Sequence, residues 1–152
     1  MNYVVAVDVG GTDIKSALVD ADFTIIQTAV APTPKGDVTG AQTVTVIAEL
    51  VRGFAQIHPV DAVGLVVPGA LDEPAGKSRW SGNLQWKDLP IRDLLQKEIG
   101  LPVAFGHDVR TAAIAELRSG AARGAQNAIF IPVGTGIAAA LIIDGQIRAA
   151  DG

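Results

Sequence analysis

Apolar positions along this chain fall into two periodicities, and their alternation predicts an α/β fold. Val4, Val5 and Val7 form a nearly continuous run, the pattern of a strand buried on both faces. Tyr3 to Val19 as a whole reads strand, glycine turn, strand; Asp20-Ala21-Asp22 is a turn, and Phe23 to Val30 a third strand. After a loop from Thr33 to Gly40 the period changes. Val44, Ile47, Ala48, Val51, Phe54 and Ala55 recur at helical spacing, with Thr45, Glu49, Arg52 and Gln56 opposite. Thr39 with Gln42 three residues on is a capping-box pattern for that helix, and Pro59 ends it. Ala62 to Val67 is a strand stopped by Pro68-Gly69. Residues 70 to 90 have little periodicity and read as a long loop ordered by Trp80 and Trp86. Pro90 opens a short helix with Ile91, Leu94, Leu95 and Ile99 on one face and Gly100 as its stop. Val103 to Phe105 is a strand, and Asp108 caps a helix running to about Ala122 with Ala112, Ala113 and Leu117 toward a sheet. Three strands in meander followed by crossover helices predict a mixed sheet with helices on its faces.

The last thirty residues repeat the first. Ala128 to Arg148 again reads strand, glycine turn, strand, turn, strand. Aligning Gly10 on Gly134 places Asp20 on Asp144 and Phe23 on Ile147 without a gap. This predicts the beginning of a second, similar lobe, and two such lobes would present two glycine turns to one cleft.

Composition narrows the function classes. The chain has 152 residues, 49% hydrophobic and 18% charged, enough to bury a core. A net charge of −4 argues against nucleic-acid or membrane-surface partners. Cysteine is absent, which removes disulfides and thiolate metal sites from these residues. No run reaches the roughly 18 apolar residues of a membrane span, and the N-terminus lacks a signal-peptide pattern. A soluble cytoplasmic protein is the expectation.

Candidate chemistry concentrates in the first turn. Asp8, Gly10, Gly11, Thr12 and Lys15 put a carboxylate, bare amides, a hydroxyl and a cation within eight residues. That set suits a metal-bound polyphosphate; an ordinary hairpin with a Gly-Gly turn has the same pattern. Two other motifs are decoys. Gly134 to Ala139 matches a dinucleotide fingerprint, but a strand pattern follows where a helix is required. Gly76-Lys77-Ser78 resembles the end of a Walker A loop, but Leu71 stands where its first glycine belongs.

Taken together, the motifs resemble a known group. Asp8-x-Gly10-Gly11-Thr12-x-x-Lys15 resembles the first phosphate motif of the sugar-kinase, Hsp70 and actin superfamily. The ordered set of that run, Val66-Val67-Pro68-Gly69, Ser81-Gly-Asn83-Leu84-Gln-Trp86, His107-Asp108-x-Arg110 and Gly134-Thr135-Gly136 resembles the N-terminal half of ROK-family sugar kinases. The resemblance implies an actin-like, ribonuclease H-like lobe with a mixed five-stranded sheet over residues 1–122, and the start of a second lobe over 123–152. It implies ATP-dependent phosphorylation of a glucose-like hexose. Asp8 would organise magnesium through water. Gly10, Gly11, Thr12 and Lys15 from one lobe, and Gly134, Thr135 and Gly136 from the other, would line the phosphates. Gly69, Asn83 and His107 would meet the sugar, and Asp108 would accept the proton of the attacking hydroxyl. For Lys15 a solvated strand position is an equal reading; for Asn83 and Trp86 simple support of the loop is the alternative. Glu116 reads as a structural helix residue.

His107 and Arg110 stand where the family usually has Asn, which leaves the sugar open. The family's Glu-x-Gly-His sugar motif, its zinc-binding cysteines and its adenine pocket would lie beyond residue 152, so this stretch by itself is expected to be inactive. The donor, ATP or polyphosphate, is also open, and a homo-oligomer is expected at full length. A non-enzymatic sugar-sensing regulator is the alternative; a strand beginning at Tyr3 and the presence of both Asp8 and Asp108 favour the kinase.

Overall fold

The computed structural model describes residues 3–134 and 136–148. They divide into two compact units, Met1–Gly106 and His107–Gly152.

The first unit is built on a five-stranded mixed sheet. Strands β1 (Tyr3–Val9), β2 (Asp13–Val19) and β3 (Ile25–Pro32) form an antiparallel meander, and β4 (Val60–Val67) pairs with β1 in parallel after a crossover through helix α1 (Ala41–Ala55). With β8 (Val103–His107) the order is β3-β2-β1-β4-β8. One face of this sheet carries the core: Val5, Val7 and Val9 of β1, Ile14 and Leu18 of β2, and Val63, Leu65 and Val67 of β4 pack with Val44, Ile47, Val51 and Phe54 of α1. These α1 positions are the ones the helical period selects. The other face differs from expectation. β1 alternates buried and exposed, and Val4, Ala6 and Asp8 look outward, so the apolar run marks a strand paired on both edges but covered on one face.

Two local expectations fail. Helix α1 is not held by a capping box. Gly40 is its N-cap, in the left-handed region at φ 69°, with no side-chain cap bond. The buried Asp37 does that work: its Oδ2 accepts from the Thr43 amide and the Thr43 hydroxyl, both at 2.8 Å. Its carbonyl accepts from the Trp86 indole at 2.9 Å. Residues 70 to 90 are not a loop but a second sheet, the meander β5 (Ala70–Asp72), β6 (Lys77–Ser81) and β7 (Trp86–Leu89). Two of its buried positions are Ser78 and Ser81, which leave the hydrophobic pattern blank. Ser78 lies wholly buried on β6, so the Gly76-Lys77-Ser78 run is no phosphate loop. Helix α2 (Ile91–Ile99) opens at Pro90 and stops at Gly100, at φ 70°, as expected.

In the second unit, helix α3 (Asp108–Ser119) lies against the antiparallel strands β10 (Ala140–Ile143) and β11 (Gln146–Arg148), and β9 (Ala128–Phe130) completes the sheet. The helix stops three residues earlier than expected. Glu116 has a structural role there, its Oε2 accepting from the Ala121 amide at 2.8 Å. Strand β10 follows the glycine turn directly, which removes the dinucleotide reading. The repeat of strand order is present, but the gapless alignment is not. Val9 pairs with Ile14 in the first hairpin, whereas Val133 bridges Ile137 in the second, a turn one residue shorter. The next turn is shorter still: Asp144 and Gly145 alone, at φ 54° and 70°, join β10 to β11. That is the twist a two-residue hairpin requires. Phe23 is thus an exposed turn residue at φ 63°, and the strand it was expected to begin starts at Ile25.

Candidate functional site

The register of the first hairpin sets its chemistry. Asp8 pairs with Lys15 across β1 and β2, and both project from the open face of the sheet. Gly10, Gly11 and Thr12 form the turn between them, closed by a bond from the Gly10 amide to the Asp13 carbonyl at 2.9 Å. The carbonyls of all three turn residues are held from behind by the chain that follows β3. The buried Thr33 donates its hydroxyl to the Gly10 carbonyl at 2.7 Å and its amide to the Thr12 carbonyl at 2.8 Å. The Lys35 ammonium donates to the Gly11 carbonyl. The amides of Gly11 and Thr12 donate to no group among the described residues.

The sequence marked Thr33 only as the start of a loop and did not single out Lys35. The register that carries β3 to Pro32, opposite Asp13, brings Thr33 back to the glycine turn.

Asn83 sits on the turn between β6 and β7 and faces this hairpin. A Cβ built on Gly11 would stand 3.2 Å from the Asn83 Cβ. The Asn83 side-chain amide has no partner among the described residues. Trp86, by contrast, is fully buried and ties β7 to Asp37, so its role is structural. Gly69 follows β4 at φ 114°, where a Cβ would lie 2.3 Å from the Trp80 carbonyl. Only glycine lets this turn press its backbone onto β6, beside Ser81. The first unit therefore brings together the phosphate-motif residues and Asn83, with Gly69 against the same meander.

In the second unit His107, not Asp108, is the N-cap of α3. Asp108 is the first helical residue, and its Oδ1 accepts from the Val109 amide at 2.7 Å. His107 Nδ1 stands 3.0 Å from that oxygen and 3.2 Å from the Val109 nitrogen. Protonated, Nδ1 donates to the carboxylate; bare, it accepts from the Val109 amide. Partial burial pushes the Asp108 carboxyl up, but the bonds from His107 and Val109, with the charges of His107 and Arg110, outweigh it, and the net effect holds the group below the ordinary aspartate value. Gly134 and Gly136 form the second glycine turn, the Gly134 amide donating to the Gly136 carbonyl at 2.9 Å. The phosphate role expected of Thr135 lies outside the described residues.

Among the described residues no cluster of three or more His, Cys, Asp or Glu side chains could cage a metal. One carboxylate, Asp8, close in sequence to the Gly11 and Thr12 amides, fits instead a magnesium ion that arrives on phosphates, because Mg²⁺ needs few protein ligands when phosphate oxygens and water complete its shell.

The family model described as "ROK family" matches residues 4–151. The chain is 32% identical over 148 residues to a glucokinase of Streptomyces coelicolor, covering 97% of this chain and 46% of that protein. It is 26% identical over 148 residues to the xylose repressor of Bacillus subtilis, covering 95% of this chain and 38% of that one. The crystal structure of a glucokinase from Streptomyces griseus, in complex with glucose and AMPPNP, superposes with a TM-score of 0.86 at 33% identity, covering 97% of this chain and 46% of that one. The chain thus spans just under half the length of the glucokinases it matches.

Proposed function

The chain belongs to the ROK family, and its five-stranded sheet is the actin-like lobe of that family's sugar kinases; from this premise we propose that it forms the N-terminal part of an ATP-dependent hexose kinase. The observation that carries the reading is the juxtaposition in the first unit: a turn whose Gly11 and Thr12 amides donate to no described group, and whose Gly11 stands so close to Asn83 that a Cβ there would touch its side chain. Unpaired amides suit a phosphate, and a carboxamide both donates to and accepts from sugar hydroxyls. The two substrates of a sugar kinase would therefore meet across Gly11.

The residue roles follow from their chemistry. Gly11 and Thr12 hold phosphate oxygens, and Gly134, Thr135 and Gly136 supply the second phosphate turn. Lys15 neutralises charge from β2. Asp8 would hold magnesium through water, and the bound ion would supply charge neutralisation for the phosphates. Gly69 brings backbone to the sugar, and Asn83 and His107 bind its hydroxyls. Asp108 accepts the proton of the attacking hydroxyl. Its depressed pKa makes it a weak base, which suffices because phosphoryl transfer passes through a loose transition state that asks mainly for positioning. We place the boundary between the family's two lobes near residue 122, after α3 and so beyond the division of the compact units at Gly106, and expect a cytoplasmic homo-oligomer at full length. No described helix is long and apolar enough to cross a membrane.

The similarity to a xylose repressor favours one second reading, a regulator that binds sugar without turnover. A coupled assay of the full-length protein with glucose, mannose and fructose separates the two. Mg·ATP-dependent phosphorylation that falls about 10²- to 10⁴-fold in Asp108→Asn supports the kinase. Sugar binding with no turnover by the native protein supports the regulator. The 152-residue chain alone is expected to phosphorylate nothing measurable.

A further inference from the structure

We propose that Thr33 and Lys35 are positioning residues for the nucleotide: they grip the carbonyls of the first glycine turn and thereby aim its free amides at phosphate. The inference rests on the kinase reading and deepens it.

A trans peptide points its C=O and its N–H in opposite directions, and the described chain has no cis bond. The Gly10 carbonyl and the Gly11 amide belong to one such plane. So do the Gly11 carbonyl and the Thr12 amide. Thr33 holds the first plane by its hydroxyl, and Lys35 holds the second by its ammonium. Each grip fixes the direction of one amide that has no other partner. Without the grips, a turn rich in glycine could rotate these planes at little cost.

The gripping segment is itself anchored. The Thr33 amide is bonded to the Thr12 carbonyl, Pro34 restricts the next φ, and Asp37 is buried against Thr43 and Trp86. Lys35 has a further effect. A cation on the Gly11 carbonyl polarises that peptide, which strengthens the Thr12 N–H as a donor. The lysine thus serves phosphate binding through the peptide bond, from the side opposite the ligand. This differs from Lys15, which shares the open sheet face with Asp8.

The test uses the full-length protein, with Mg·ATP and Mg·tripolyphosphate as probes. Thr33→Val and Lys35→Gln remove the grips; Thr33→Ser and Lys35→Arg keep them. The expected result is a rise of about tenfold in the KM for Mg·ATP in T33V and K35Q. The KM for sugar stays at the native value, and the two conservative variants restore nucleotide affinity. Lys35 is exposed, so K35Q remains decisive even if T33V fails to fold. A native KM for Mg·ATP in K35Q, or equal losses for nucleotide and sugar, overturns the positioning role while leaving the kinase intact. A native protein that binds neither probe overturns the kinase reading, and this inference with it.

Discussion

Asp108 carries a charge in a partly buried place, and its neighbours decide at what pH it keeps it. Burial opposes the charge, but His107, the Val109 amide and Arg110 favour it, and the pKa lies below the ordinary value. A carboxyl depressed by folding contributes stability that is complete above its unfolded pKa and is lost as pH falls through its folded pKa. If Asp108 acts as the proposed base, the acidic limb of the full-length protein's rate profile should fall below the usual carboxylate range. In His107→Asn the imidazole bond and charge disappear, so the Asp108 carboxyl carbon should titrate at higher pH by NMR; an unchanged titration would remove His107 as the cause. Gly11 offers a second test at this scale. Its φ lies outside the glycine region, so Gly11→Ala should fold, but the new methyl meets the Asn83 Cβ at 3.2 Å and must displace it. Weaker sugar binding at unchanged melting temperature is the expected result, and native sugar affinity would show that Asn83 is not at the sugar. Local geometry that depends on neighbours in sequence, such as the turn at Gly10 and Gly11 and the helix stop at Gly100, was legible from the chain. Lys35 and Asp37 were not, because their partners, Gly11 and Trp86, lie 24 and 49 residues away.

At the level of elements, periodicity worked where a face is uniformly apolar. The buried face of α1 and the meander β1 to β3 came out nearly as written. The sheet β5-β6-β7 did not, because its strands have three to five residues and bury serines beside Trp86 and Leu89. Register was also illegible: the repeat showed which turns correspond, but not that the second is a residue shorter. Two turn glycines separate backbone freedom from close packing. Gly100 ends α2 at φ 70° with nothing near its missing Cβ, so Gly100→Ala should cost about 1–2 kcal/mol, the price of a left-handed alanine. Gly69 adds to a positive φ a Cβ only 2.3 Å from the Trp80 carbonyl, which no side-chain rotation relieves. Gly69→Ala should therefore cost roughly twice as much or more, read by urea unfolding of both variants. Equal losses would mean that the turn does not press on β6.

At the scale of the whole molecule, the two units divide the candidate residues between them. The first glycine turn, Asp8 and Asn83 belong to the first, while the candidate base Asp108 and the second glycine turn belong to the second. The chain spans under half the length of the glucokinases it matches, so turnover is expected to need the remainder. The meander β5-β6-β7 has a further, optical consequence. It carries both tryptophans of the chain, Trp86 at 1% exposure and Trp80 at 61%, the latter with its indole over Gly82 beside Asn83. One fluorophore should therefore emit blue and resist acrylamide, and the other emit red and be quenched. Sugar binding should alter the red component alone, and unfolding should shift the blue one, so difference spectra of Trp80→Phe and Trp86→Phe separate occupancy from folding without any added dye. A sugar response that survives Trp80→Phe would place the ligand elsewhere.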